Sequence, residues 1–296
     1  MAEFSTQVIT EGLGFGEGPR WHDGRLWFSD FYRQAIFSIA PDGSDERLEH
    51  HVPTQPSGLG WSSAGVLHFV SMTDHTLRRV VNGHDEIVAD FSEHCGFWAN
   101  DMVISDKDVA YIGNFGFDLD TLLRDKGVEG LLADPPPSTN LVVIDLNGTL
   151  LQVVPDMAFP NGSVITPDGA TLIVGETMAY RLSAFRIAED GTLHDRRVWA
   201  QLDFVATDGM CLDAEGQIWL ANAMPGNNAC LRVREGGEIT DVVHSTQTSF
   251  ACMLGGDAGD TLFIHTAPSS DRYEIAEKRH GKIEAVRVGV GRAGRP

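Results

Sequence analysis

Val164–Glu176 reads VITPDGATLIVGE: an apolar run, a tight turn centred on Gly169, and a second apolar run. The Asp-Gly pair supplies the positive φ that a short hairpin needs, and the β-branched residues on either side favour strands. The phrase returns as PRWHDGRLWFSD over Pro19–Asp30, LGWSSAGVLHFVSM over Leu59–Met72 and MVISDKDVAYIGN over Met102–Asn114. It returns again as MCLDAEGQIWLA over Met210–Ala221 and MLGGDAGDTLFIHT over Met253–Thr266. The six turn centres, Gly24, Gly65, Lys107, Gly169, Gly216 and Gly259, lie 41 to 47 residues apart, with one gap of 62. Further strand-like runs such as Ala35–Ile39, Leu77–Val81, Leu141–Asp145 and Ser183–Ile187 fill the intervals, so each unit holds about four strands. Units of this length and content are propeller blades. The expected fold class is all-β: a six-bladed β-propeller of four-stranded antiparallel blades, forming one domain over residues 1–296. Gln7–Glu11 and Glu284–Val290 read as strands that share a blade and close the ring.

The single long gap marks an insertion at about residues 117–139, FDLDTLLRDKGVEGLLADPPPST. Helix is expected near Leu119–Leu132, ended by Pro135-Pro136-Pro137. An insertion of this length is either a lid over a site or an inert surface loop.

Composition narrows the function. Lys and Arg total 22 against 42 Asp and Glu, a net charge of −20, which repels a phosphate backbone and argues against nucleic acid as a partner. No run of about 18 apolar residues is present, so no membrane span is expected. The opening MAEFSTQVITEGLG lacks a basic and apolar leader, and Cys95, Cys211, Cys230 and Cys252 show no metal or disulfide spacing. Reduced thiols in a cytoplasmic protein are the expectation. Gly12, Gly14 and Gly16 lack the spacing of a dinucleotide loop, and the basic residues Arg292 and Arg295 beside Pro296 read as a loose tail.

Seven or eight residues before each turn centre, where the first strand of each unit begins, stand Glu17, Ser57, Asn100, Asn161, Asp208 and Ala251. First strands of propeller blades line the central channel, so these positions converge on one mouth of it. Two carboxylates and two amides form a hard-oxygen set of charge −2, suited to Ca²⁺, Mg²⁺ or Mn²⁺. Asn and Asp also favour turns for their own sake, but Glu17 is a poor turn former. A metal site in the central channel is the expectation, with turn preference as the alternative reading of Asn161 and Asp208.

The phrases EGPRW, PSGLGW, NDMVISDKDVAYIGNFGFD, FPNGSVITPDGATLIVGET and DGMCLDAEGQIWLANA together make the chain resemble the gluconolactonase, senescence-marker-protein and luciferin-regenerating-enzyme-like family of six-bladed propellers. The resemblance runs from Glu17 to the last blade. It implies one divalent cation, Ca²⁺ foremost with Zn²⁺, Mn²⁺ and Mg²⁺ as alternatives, held by Glu17, Asn161 and Asp208. It implies Asn100 beside the metal or substrate, and Asp208 as general base as well as ligand, with direct nucleophilic attack by Asp208 an open alternative. Sugar-lactone members carry an Arg two residues before that Asn, where this chain has Trp98. With Phe15, Phe97, Phe115, Phe117, Met178, Tyr180 and Phe250 making the expected surroundings apolar as well, the expected substrate is a lactone or related ester less hydroxylated and more apolar than gluconolactone. Asn100, Trp98, Asn114, Phe117 and Met178 are the expected substrate-binding residues. A phosphotriesterase-like hydrolase, a non-catalytic calcium- or ligand-binding propeller and an interaction scaffold are the competing readings. The partner is a small molecule and the assembly a monomer or small homo-oligomer.

Overall fold

A computed structural model describes residues 4–296. Six antiparallel sheets stand in a ring around one axis. Blade 1 begins with its inner strand Gly16–His22 and continues outward through Arg25–Asp30 and Ala35–Ile39 to Arg47–His51. Blades 2 to 5 repeat the order from the inner strands Pro56–Trp61, Ala99–Ile104, Pro160–Ile165 and Thr207–Asp213. Blade 6 starts at Thr248–Gly255 and takes its fourth strand, Gln7–Leu13, from the other end of the chain, with Gln7 opposite Ala285 and Leu13 opposite Gly281. The ring is therefore closed by the two strands expected to close it.

The core lies between blades rather than within one body. Leu26, Phe28 and Phe37 of blade 1 pack with Leu262, Phe263 and Ile264 of blade 6, and Val164, Ile173 and Leu182 of blade 4 with Met210, Leu212 and Leu220 of blade 5. Each such side chain contributes about 1.5–3 kcal/mol by leaving water, which is why both faces of the middle strands read as apolar runs. Three cysteines, Cys211, Cys230 and Cys252, are packed in this core as small apolar groups, and all four cysteines are free thiols. Among the described residues no helix is long and apolar enough to cross a membrane.

All six inner strands slip register near their upper ends: between Glu17 and Arg20, Pro56 and Leu59, Ala99 and Met102, Pro160 and Ser163, Thr207 and Met210, and Ser249 and Ala251. Bulges of this kind bend a strand and re-aim a side chain. Here they sit at the convergent positions deduced from the repeat. The residue that follows is glycine in four blades, because the next inner strand passes too close for a side chain. A Cβ on Gly162 would lie 2.4 Å from the Asp208 carbonyl oxygen, and one on Gly58 would lie 2.2 Å from the Met102 nitrogen.

A second ring of polar residues ends the second strands. Asp30 accepts the Gly14 and Phe15 N–H groups at 2.9 and 3.0 Å, and Glu176 accepts the Ala158 N–H at 3.0 Å. Asn222 accepts the Ala206 and Met224 N–H groups at 3.2 and 3.1 Å. These groups staple the loops that lead into the inner strands. Glu176 also binds Arg181 and Arg196, each at 2.9 Å. Burial alone would raise its pKa, but Arg181, Ser183, the Ala158 N–H and Arg196 hold it at about 2.

The segment expected as a loose basic tail is not loose. Arg292–Ala293 is a strand, paired with Leu212 and Asp213 on the inner strand of blade 5. A reading of local charge does not register that the channel-side edge of an inner strand is an unpaired ladder open to a partner.

Two outcomes follow. Gly162→Ala should lower stability by about 3 kcal/mol through overpacking, read as a shifted urea midpoint with an unchanged slope. Glu176 is ionised in the folded protein below its unfolded pKa, so its contribution is full above about pH 5 and is lost as pH falls toward 2. The urea-midpoint gap between the wild type and Glu176→Gln should accordingly narrow across that interval.

Candidate functional site at the channel mouth

The four oxygen-bearing residues of the convergent set meet at the bottom of one cavity in the upper mouth of the channel. Glu17, Asn100, Asn161 and Asp208 are all buried. The Asn100 amide donates to Asn161 Oδ1 at 3.0 Å and its own Oδ1 accepts from Ser57 at 3.3 Å. Asn161 donates to Thr177 Oγ1 at 3.2 Å, and Thr177 donates to the Thr207 carbonyl at 2.7 Å. The two amides are thus fixed by neighbours on three blades.

The carboxylates carry the unusual electrostatics. Burial, then the neighbouring Asp208 and Asp101 carboxylates, pushes Glu17 well above the usual carboxylate range, against the Gly18 N–H and Arg20. Burial likewise raises Asp208, with Asp101 adding to it, against hydrogen bonds from Asn161 and Gly209. Arg20, just below, does not neutralise them. Its guanidinium is spent on Asp101 at 2.7 Å and on the carbonyls of Pro19, Leu59 and Met102, bracing the inner strands of blades 1 to 3. Two adjacent buried carboxylates flanked by two amide oxygens, with the nearest guanidinium committed elsewhere, fit a hard divalent cation, which would supply the missing positive charge.

Above this polar floor the cavity is apolar. Phe15, Phe31, Met72, Phe115, Phe159 and Phe250 are among its walls. Its volume is about 140 Å³, and about 10–15 Å³ accommodates one water, so it takes a molecule of roughly ten non-hydrogen atoms.

The profile of the SMP-30/Gluconolactonase/LRE-like region matches residues 15–268. The chain belongs to that family. A pentonolactonase of Haloferax volcanii is 23% identical over 303 residues, covering 98% of this chain and 96% of the relative. Among solved structures, a luciferin-regenerating enzyme superposes with a TM-score of 0.79 at 17% identity, covering 99% of this chain and 98% of the other. A calcium-binding protein, regucalcin, from Agrobacterium tumefaciens gives 0.75 at 20% identity, covering 98% and 96%. These likenesses to solved structures establish the six-bladed frame.

Within the SMP-30/gluconolactonase frame, most of the sequence candidates stand together. Glu17, Asn100, Asn161 and Asp208 share the floor, while Trp98, Met178, Phe15, Phe97, Phe115, Tyr180 and Phe250 line the walls. Asn114 and Phe117, expected to bind substrate, do not line the cavity. Asn114 ends the second strand of its blade and holds the start of the third, donating to the Asn140 carbonyl at 2.7 Å and accepting from Thr139 at 2.6 Å. Phe117 is buried edge-on behind Phe159, ring centres 6.0 Å apart. Its place in the wall is taken by Phe159, whose φ of 59° just before Pro160 turns the ring inward.

The insertion forms the roof. Helix covers Leu119–Ala133, kinked at Gly127, where φ is 66°. Leu119, Leu123, Val128 and Leu131 face the cavity, the kink keeping both halves' apolar sides on it. Asp118 caps the helix by accepting the Thr121 N–H at 3.2 Å. The same carboxylate receives a two-pronged contact from Arg272, at 2.9 and 2.8 Å, and Asp120 lies 3.3 Å from the same guanidinium. Arg272 also rests 5.0 Å from the centre of the Trp98 ring. An arginine thus stands beside Trp98 over the cavity, recruited from blade 6 and neutralised by the roof. Nothing in the sequence around Arg272 announces this; it is separated from Asp118 by 154 residues.

Cutting the latch tests the roof. Arg272→Ala should accelerate proteolysis within residues 119–133 by roughly five- to tenfold, the equivalent of about 1 kcal/mol of lost docking, while leaving cleavage elsewhere unchanged.

Proposed function

We propose that this protein is a divalent-cation-dependent hydrolase that opens a lactone, or cleaves a related ester, bearing an apolar substituent. The observation that carries the reading is the juxtaposition in one cavity of a buried Glu17–Asn100–Asn161–Asp208 floor with walls of aromatic, Met and Leu side chains. Likeness to a pentonolactonase over nearly the whole of both chains supports hydrolysis of a lactone, and likeness to a regucalcin described as calcium-binding supports Ca²⁺ as the first cation to test.

Glu17, Asn161 and Asp208 would hold the cation, and bound there it polarises a carbonyl and acidifies water. The protein's own groups do the rest. The Asp208 carboxylate accepts the proton of the attacking water. Asn100, fixed by Ser57 and Asn161, presents amide polarity beside the carbonyl oxygen as it gains charge. The roof helix and the aromatic walls exclude bulk water and bind the ring's substituent. A poly-hydroxylated sugar lactone would leave several hydroxyls facing Phe and Leu surfaces without partners, at a cost of about 1–3 kcal/mol for each unpaired group. An alkyl- or aryl-substituted γ- or δ-lactone gains from the same surfaces.

The test is a panel of γ- and δ-lactones graded in substituent hydrophobicity, with aryl esters and a phosphotriester, assayed with Ca²⁺, Mn²⁺ and Zn²⁺. Expected are turnover that chelation abolishes and added cation restores, and a higher kcat/KM for apolar lactones than for gluconolactone. Asp208→Asn should lower kcat by about 10²–10⁴, and Glu17→Gln should weaken cation binding. Full activity in chelated protein would reject the cation; tight cation binding with no turnover across the panel would favour a binding protein.

A further inference from the structure

The segment 291–295 crosses the opposite mouth of the channel, and its contacts are selective. Arg292 and Ala293 pair with Asp213 and Leu212. Arg295 and Ile165 exchange backbone hydrogen bonds at 2.9 and 2.8 Å. The Arg295 side chain donates to the Ile104 carbonyl at 3.4 Å, and the Arg292 side chain to the Trp21 carbonyl at 3.3 Å. The Gly291 carbonyl accepts the Ala214 N–H at 2.8 Å, and the Arg292 N–H reaches the Gly259 carbonyl at 2.9 Å.

Trp21, Ile104, Ile165 and Leu212 each lie four residues beyond Glu17, Asn100, Asn161 and Asp208 on the same strands. At about 3.3 Å per residue, each contact sits roughly 13 Å below one of the four oxygen-bearing side chains. The inner strand of blade 2, which carries Ser57, receives no such contact among the described residues, and blade 6 is met only at its turn. Gly294 is required for the crossing: its φ is 64°, and a Cβ there would lie 2.2 Å from the Ile165 carbonyl oxygen.

We propose that residues 291–295 are a positioning strap that fixes the four site-bearing strands relative to one another, and so sets the spacing of Glu17, Asn100, Asn161 and Asp208 from the far end of the channel. The physical need is clear. The inner strands belong to separate sheets and share no backbone ladder with one another, so their upper ends are spaced by contacts between blades: the close glycine approaches, Arg20, and the Ser57–Asn100–Asn161 side-chain bonds. Hydrogen bonds from one segment to four of these strands fix the spacing of their opposite ends.

The proposal rests on the cation reading for one of its two readouts only. A chain stopped after Val290 and the full-length Gly294→Val variant would be compared with the wild type by calorimetric titration with Ca²⁺ and Mn²⁺, and by hydrogen exchange of residues 160–165 and 207–213. Expected are cation affinity at least tenfold weaker, faster exchange in both strands, and restoration of both by a peptide of residues 288–296 added to the shortened chain. Wild-type affinity and wild-type exchange in the shortened chain would overturn the strap. Should the shortened chain not fold, Gly294→Val decides by the same two measurements. If the wild type binds neither cation, the cation reading fails by itself and exchange alone judges the strap: unchanged protection overturns it.

Discussion

Six inner strands converge on one axis so closely that the backbone of one blade occupies the space a side chain of the next would need. Gly162 against Asp208, Gly58 against Met102 and Gly209 against Ala251 are the points of contact. Everything functional in the molecule depends on that convergence. It brings residues from distant parts of the chain to one place. The closure that enforces it is a plain strand pairing, Gln7–Leu13 on Gly281–Arg287, backed by apolar side chains wedged between neighbouring blades.

The same closeness creates an electrostatic problem that the site exploits. Carboxylates at 17 and 208 share a buried place, and Arg20, the guanidinium nearest Glu17, is bound to Asp101 and three carbonyls. A protein that needed only stability would be better served by apolar residues of similar size there. The arrangement suits the proposed cation-binding site, which would receive positive charge. By contrast, Glu176, equally removed from solvent, is saturated by Arg181, Arg196 and Ser183 and is a structural staple. Comparing the two shows how burial has opposite meanings depending on whether partners are supplied.

Much of this was legible in the residues themselves. Six hairpin phrases give the blade count, and the position before each phrase gives Glu17, Asn100, Asn161 and Asp208, because a repeat that is periodic in sequence is rotationally periodic in space. The helix near residue 119 and its stop before the proline run were also legible, from spacing and proline chemistry. Asn114 and Phe117 show the limit. Both sit in the right stretch, but Asn114 is spent on Thr139 and Asn140 at the start of the next strand, and Phe117 packs against Phe159. Which face of a loop a side chain takes depends on partners such as Thr139 and Asn140 that local pattern does not reveal.

What the sequence by itself determined is the repeat and the residue types at its register: both are properties of turn chemistry, alternation and spacing, which act over a few residues. What only the tertiary structure decided is how the two non-repeating segments are used. Arg272 reaches across 154 residues to latch the roof through Asp118, and residues 291–295 bind four inner strands at the opposite mouth. Neither segment shares the period of the blades, so no pattern along the chain predicts where it lands. Its place is set by which charges and backbone edges the closed ring leaves unpaired.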